Sequence, residues 1–142
     1  MWVAWSSVPT MTVRLQEVVI DCAEPARLAE FWAAVLETRW GVVDEGWAVV
    51  EAKPLYIGFQ KVPEPKQSPK NRLHLDIQVV DALAAAERAE ALGAVRTGFS
   101  NLGESGDGFV VLQDPEGNEF CFVVDESGGW IRTLRKALDA PK

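Results

Sequence analysis

The sequence predicts an α+β fold: two βαβββ modules whose curled mixed sheets surround a central cleft, with the helices outside. Three observations carry this. Several short runs alternate apolar and polar residues with the period of a strand. Two longer stretches instead repeat apolar residues at helical spacing. The order strand, helix, then two or three strands occurs twice, on either side of the proline-rich connector Pro63-Glu64-Pro65-Lys66-Gln67-Ser68-Pro69-Lys70.

The chain has 142 residues, enough for one domain or for two small modules sharing a core. The expected layout is a tail at 1–12, a first module at 13–62, the connector at 63–70, a second module at 71–125 and a C-terminal helix and tail at 126–142. Fourteen Lys and Arg against 21 Asp and Glu give a formal charge of −7. That argues against a nucleic-acid partner or an anionic membrane, both of which select basic surfaces. Cys22 and Cys121 sit in apolar runs and read as reduced, buried thiols, which implies a cytoplasmic protein. The opening Met1 to Thr10 is apolar but lacks the positive charge of a signal peptide. Met1 and Met11 are both candidate starts.

Val13 to Asp21, with β-branched Val18, Val19 and Ile20, predicts the first strand. Pro25 suits a first helical turn, and Leu28, Phe31, Trp32, Val35 and Leu36 form one helical stripe. This predicts a helix near 24–37 with Trp32 in the core. Trp40 to Val43 and Trp47 to Ala52 read as strands joined at Asp44-Glu45-Gly46, and Leu55 to Val62 as a third strand after a corner at Pro54. In the second half, Asp81 is a natural N-cap and Gly93 a natural stop. They bracket a helix near 81–92 whose stripe is read as Leu83, Ala86, Ala89, Glu90 and Leu92. Ala94 to Thr97 reads as a short strand. Gly98 to Gly108 holds four glycines and reads as a mobile loop, a lid over the cleft. Strands are expected at Phe109 to Gln113 and Glu119 to Asp125, around an Asp114-Pro115-Glu116-Gly117-Asn118 turn. Ser127 to Leu138 predicts a last helix, with Trp130, Leu134 and Leu138 on one side.

The most informative stretch is Asn71 to Val80, which contains the single histidine. Leu73, Leu75, Ile77 and Val79 fall on one face, His74, Asp76 and Gln78 on the other. If helices cover the apolar face, His74 and Asp76 look into the cleft. Gln16 occupies the corresponding place in the first strand.

The element order resembles the vicinal-oxygen-chelate superfamily, which includes glyoxalase I, bleomycin-resistance proteins and extradiol dioxygenases. Its glyoxalase-like branch is similar in Asp21-Cys22-Ala23-Glu24-Pro25 leading to Phe31-Trp32, in Phe59 to Lys66, in Asn71-Arg72-Leu73-His74-Leu75-Asp76 and in Asp114 to Cys121. The resemblance covers roughly residues 13 to 125. It implies a small-molecule site in the cleft, and in metal-dependent members four ligands on the first, fourth, fifth and eighth strands. Those positions fall here on Gln16 (Glu17 after a slip of one residue), on Gly58 or Gln60, on His74 and on Cys121. That is a thin donor set. The expectation is therefore a binding protein without a complete metal site, which sequesters or modifies a small metabolite or antibiotic. Any divalent metal would use Gln16, His74 and Cys121. Gln60, Trp40 and Trp47 would join Gln16 and Cys121 in binding the ligand. If a reaction is catalysed, His74 would be the base and Asp76 or Glu119 its acid partner. The alternatives are a metal-dependent lyase, isomerase or dioxygenase, and a partner-binding domain. A homodimer is expected, because the tryptophan-rich ends and the last helix leave apolar surface and the superfamily commonly pairs its modules.

Overall fold

The alternating runs become two four-stranded sheets in the computed structural model, which describes residues 15–141. The expected tail, and the start of the expected first strand at Val13, lie outside the described residues. The first module runs β1 (Glu17–Cys22), α1 (Pro25–Val35), β2 (Trp40–Asp44), β3 (Trp47–Ala52) and β4 (Leu55–Lys61). The second runs β5 (Leu75–Gln78), α2 (Ala82–Ala91), β6 (Val95–Leu102), β7 (Gly108–Gln113) and β8 (Glu119–Val124), followed by α3 (Gly129–Asp139). The strand orders are β1-β4-β3-β2 and β5-β8-β7-β6. In each sheet the first strand pairs parallel with the last and the other pairings are antiparallel, so the fold is α+β with mixed sheets, built twice.

α1 and α2 each cover one face of their own sheet. In the first module Ile20, Ala48, Val50, Ile57 and Phe59 meet Leu28, Phe31 and Trp32 of α1. In the second, Val110, Leu112, Phe120 and Phe122 lie under α2. The buried face of α2 is Ala82, Ala85, Ala86 and Ala89, while Leu83 and Leu92, expected on its stripe, are 53% and 45% exposed. Four alanines give the helix a flat side that can lie close on the sheet, and the leucines fall beside it. Leu73 also departs from expectation at 77% exposure. The β5–β8 ladder begins only at Leu75, opposite Phe120, so residues 71–74 precede the sheet and the alternation there has no helix to face.

The expected lid is largely strand. β6 continues to Leu102, and residues 103–107 form a tight turn in which Gly103 donates to the Asp107 carbonyl and Gly106 to that of Gly103. Gly108 leaves no room for a Cβ beside the Asn101 carbonyl, so here the glycines permit close strand approach rather than a long mobile loop. α3 projects Trp130, Ile131, Leu134 and Leu138 at 39–76% exposure, and none of its residues is buried.

The two modules share one core, and a buried carboxylate fastens them. Asp114, only 2% exposed, accepts from the Trp32 indole nitrogen at 3.1 Å, from the Glu116 and Asn118 amides at 2.9 and 3.0 Å, and from the Asn118 side chain at 2.9 Å. Two residues on, Glu116 accepts from the Ala23 and Glu24 amides that lead into α1 at 2.8 and 3.1 Å. Asp114→Ala would strand the fully buried Trp32 N–H and release the turn. It should cost about 3 kcal/mol, read as a lower midpoint in urea unfolding with an unchanged slope. A loss below about 0.5 kcal/mol would contradict the role given to this carboxylate.

Candidate functional site

Register decides which side chains reach the open face of each sheet, the face away from its helix. β5 pairs Asp76 with Cys121, β8 continues the same parity to Glu119 and Val123, and β7 presents Phe109 and Val111 beside them. Thr97 and Phe99 of β6 form the far wall. The result is an open concavity of about 470 Å³ with an apolar floor and a polar end. Phe99 and Phe109 make a tilted aromatic pair with ring centroids 5.9 Å apart.

The polar end is compact. His74 Nε2 lies 3.3 Å from Asp76 Oδ1, and the donor atoms of His74, Asp76 and Cys121 lie within 4.8 Å of one another. His74 and Asp76 are about half exposed, whereas Cys121 is buried. Burial pushes the Cys121 thiol up to about 11, helped by the neighbouring Asp76 carboxylate, which accepts its hydrogen bond, and by Glu119. Glu119 is tied to Lys70 at 3.1 Å and stands outside the three-residue cluster.

The other candidates lie elsewhere. Gln60 and Trp47 pair with each other on the open face of the first sheet, not beside His74. Trp40 is on the far edge strand of that sheet, next to Arg39, Val49 and Tyr56, and its register partner is the helix-facing Val50. Gln16 precedes β1, on the parity of Val18 and Ile20. Its carbonyl accepts from the Tyr56 amide at 3.2 Å, and it lines none of these concavities. The two helix N-caps, Glu24 and Asp81, explain the slip. Seven residues before Asp81 is His74, but seven residues before Glu24 is Glu17, so Glu17 is the counterpart of His74. The same alignment matches Val19 to Asp76. The ladders Val19–Gly58 and Asp76–Cys121 then match Gly58 to Cys121.

A metal held between the modules does not fit these residues. The position on β4 is Gly58, which offers no donor, and a Cβ there would stand 2.8 Å from the Trp47 ring and 3.0 Å from a Glu17 carboxylate oxygen. The space a ligand would need is filled by an indole.

Lys70, Thr97, Phe99, Phe109, Val111 and Val123 line the concavity without having been singled out from the sequence. The parity of β7 and β8 was a usable signal for Phe109, Val111 and Val123. Phe99 was hidden in a stretch read as loop, and Lys70 in one read as solvated connector. The thiols give a check on the whole arrangement. Burial also pushes Cys22 up to about 11. A raised pKa keeps each thiol protonated, so at pH 8 both should react with iodoacetamide at least about tenfold more slowly than a free cysteine, and the rates should climb towards pH 11. Fast alkylation of Cys121 at neutral pH would contradict the burial described.

Comparison with known proteins agrees with this architecture. The family model of the glyoxalase-like domain matches residues 17–123. A glyoxalase/bleomycin resistance protein/dioxygenase family enzyme from Burkholderia phytofirmans superposes with a TM-score of 0.65 at 17% identity, covering 77% of this chain and 96% of its own. A glyoxalase-related enzyme from Fulvimarina pelagi gives 0.63 at 11% identity, covering 79% and 88%. The bleomycin-binding protein of Streptomyces verticillus, solved with copper(II)-bleomycin, gives 0.53 at 17% identity, covering 82% and 100%. At these identities the structures show a shared fold only. No curated protein is similar enough to count as a match. With its family-model match spanning both modules, the chain belongs to the glyoxalase-like domain family, within the vicinal-oxygen-chelate superfamily.

Proposed function

We propose that this protein binds a small amphipathic molecule on the open face of its second sheet. The observation that supports it best is the pairing of a polar end, His74 and Asp76, with an apolar floor of Phe99, Phe109, Val111 and Val123 in one concavity. A ligand would lay a flat apolar part over the phenylalanines and present a hydrogen-bonding group to the imidazole and carboxylate. The Lys70–Glu119 pair at the rim would reject a ligand that leaves either charge unpaired. Sequestration needs nothing more. If the bound molecule is also modified, His74 is the group placed to move a proton, with Asp76 orienting it. A fold neighbour described as bleomycin-binding, solved with copper(II)-bleomycin, supports the small-molecule reading.

The concavity is open to one side, and α3 carries an uncovered apolar row. Both features favour a homodimer, in which a second copy buries the row. Light scattering at micromolar concentration should give twice the chain mass, and a monomer there would remove the dimer from the proposal.

A thermal-shift panel of amphipathic aromatics, with bleomycin among them, tests the site. Hits should bind His74→Ala at least about tenfold more weakly, while the unliganded variant loses under about 1 kcal/mol, since a half-exposed side chain leaves no packed cavity behind. Undiminished binding by His74→Ala would move the ligand elsewhere.

A further inference from the structure

We propose that the seam between the two modules is a second binding site, for an apolar monocarboxylate anchored by Arg72. β1 and β5 are each the end strand of their own sheet, and β1 pairs only with β4, β5 only with β8. Among the described residues no backbone hydrogen bond joins the two edges. The gap between them holds a cavity of about 310 Å³, at the small end of the range of about 300–1,000 Å³ usual for ligand sites. It shares only His74 and Glu119 with the concavity on the second sheet. Two apolar side chains stand uncovered on its opposite sides, Val19 at 40% exposure and Leu73 at 77%. The floor, by contrast, is fixed. Ile20 and Leu75 pack against the core, and the Trp32 indole, held by Asp114, closes the bottom. A firm floor between uncovered apolar walls gains free energy by taking up a hydrocarbon tail.

The head group of the ligand is set by what has no partner. The Arg72 guanidinium and the Asn71 side chain line the same cavity, and neither makes a hydrogen bond or ion pair among the described residues. The strand edge adds a donor. The Gln16 and Cys22 carbonyls accept from the Tyr56 and Val62 amides, so residues of that parity bond towards β4. By alternation Val19 turns its own N–H and C=O towards the seam. A guanidinium beside amide donors matches a carboxylate, which it can hold through two parallel bonds. The surrounding charge selects one negative charge over two. Arg72 is the single Lys or Arg among the described residues lining the cavity, and Asp21 and Glu119 line it as well. A phosphate dianion there would meet more repulsion than one guanidinium offsets, whereas a monocarboxylate is matched one to one.

Octanoate is the probe. Titrated into the full chain at pH 8 by calorimetry, it should bind at one equivalent. Octanamide, which lacks the charge, and octyl phosphate, which doubles it, should bind at least about tenfold more weakly. Arg72→Gln should weaken octanoate at least about tenfold and leave octanamide unchanged. Leu73→Ser should weaken both by about fivefold. Both replaced side chains are exposed, and circular dichroism checks that each variant is folded. In nitrogen-15 spectra of the unaltered chain, octanoate should move the Val19 and Leu73 amide signals and leave those of Phe109 and Val111 in place. The site is overturned by a lack of octanoate binding, by undiminished binding in Arg72→Gln, or by octyl phosphate binding as tightly as octanoate. Shifts confined to Phe109 and Val111 also overturn it, because they put octanoate on the open face of the second sheet. The open-face reading is tested separately by its own aromatic hits.

Discussion

The arrangement depends first on where the Asp114 carboxylate goes. It is buried, and a buried carboxylate is tolerable only when hydrogen-bonded throughout. Its partners come from two modules: the amides and Asn118 side chain of its own turn, and the indole of Trp32 on α1. Trp32 in turn packs edge-on against Phe120 with ring centroids 4.8 Å apart. Fixing Asp114 therefore fixes how α1 sits on the second sheet and where β8 starts. Because β8 begins in this turn, its parity follows, and with it the exposure of Cys121 to the open face beside Asp76. A one-residue slip would turn Phe120 and Phe122 outward and remove Cys121 from the cluster. Core and site thus share one constraint.

Two modules of the same topology have ended with different open faces. In the first, Trp47 lies across Gly58 and is held beside Glu17, so an aromatic ring occupies the middle of the sheet. In the second, the matching position is Cys121, a small side chain, with Phe109 of β7 on the floor beside it and Phe99 on the edge strand β6. An indole folded over the small central residue fills the first face, whereas the phenylalanine at the same place in the second pairs with Phe99 and leaves a bowl.

Much of this was legible in the sequence, because alternation is a direct physical signal. Leu75, Ile77, Phe120 and Phe122 had to share a covered face, and that put Asp76 and Cys121 on the other. The buried stripe of α1, including Trp32 at 1% exposure, followed from spacing alone. What was not legible depended on partners far away in the chain. Leu73 continues the alternation but precedes the ladder, and only the pairing with β8 shows where the ladder begins. Gln16 and Glu17 differ by one step. Polarity does not choose between them, but the helix caps, read as fixed points, do. Leu83 and Leu92 outscore alanine in hydrophobicity, yet α2 turns its alanines inward, because close approach to the sheet is set by size. The glycines of 98–108 signalled freedom, whereas Gly108 serves close packing of two strands.

The same reasoning separates what charge excludes from what it permits. The net charge of −7 describes the whole surface, but ligands meet local sets of groups. At the concavity, Glu119 is ion-paired with Lys70 at 3.1 Å, and Asp76 is the acidic group next to the imidazole. Glu119, two residues from Cys121, is paired with Lys70 at the rim and is not among the three clustered donors. Were Lys70 absent, Glu119 would be free to swing towards Cys121 and crowd that space. The connector residue missed in the sequence, Lys70, thus forms part of the rim of the polar end. It acts from outside both sheets, through one exposed ion pair whose strength falls as salt rises.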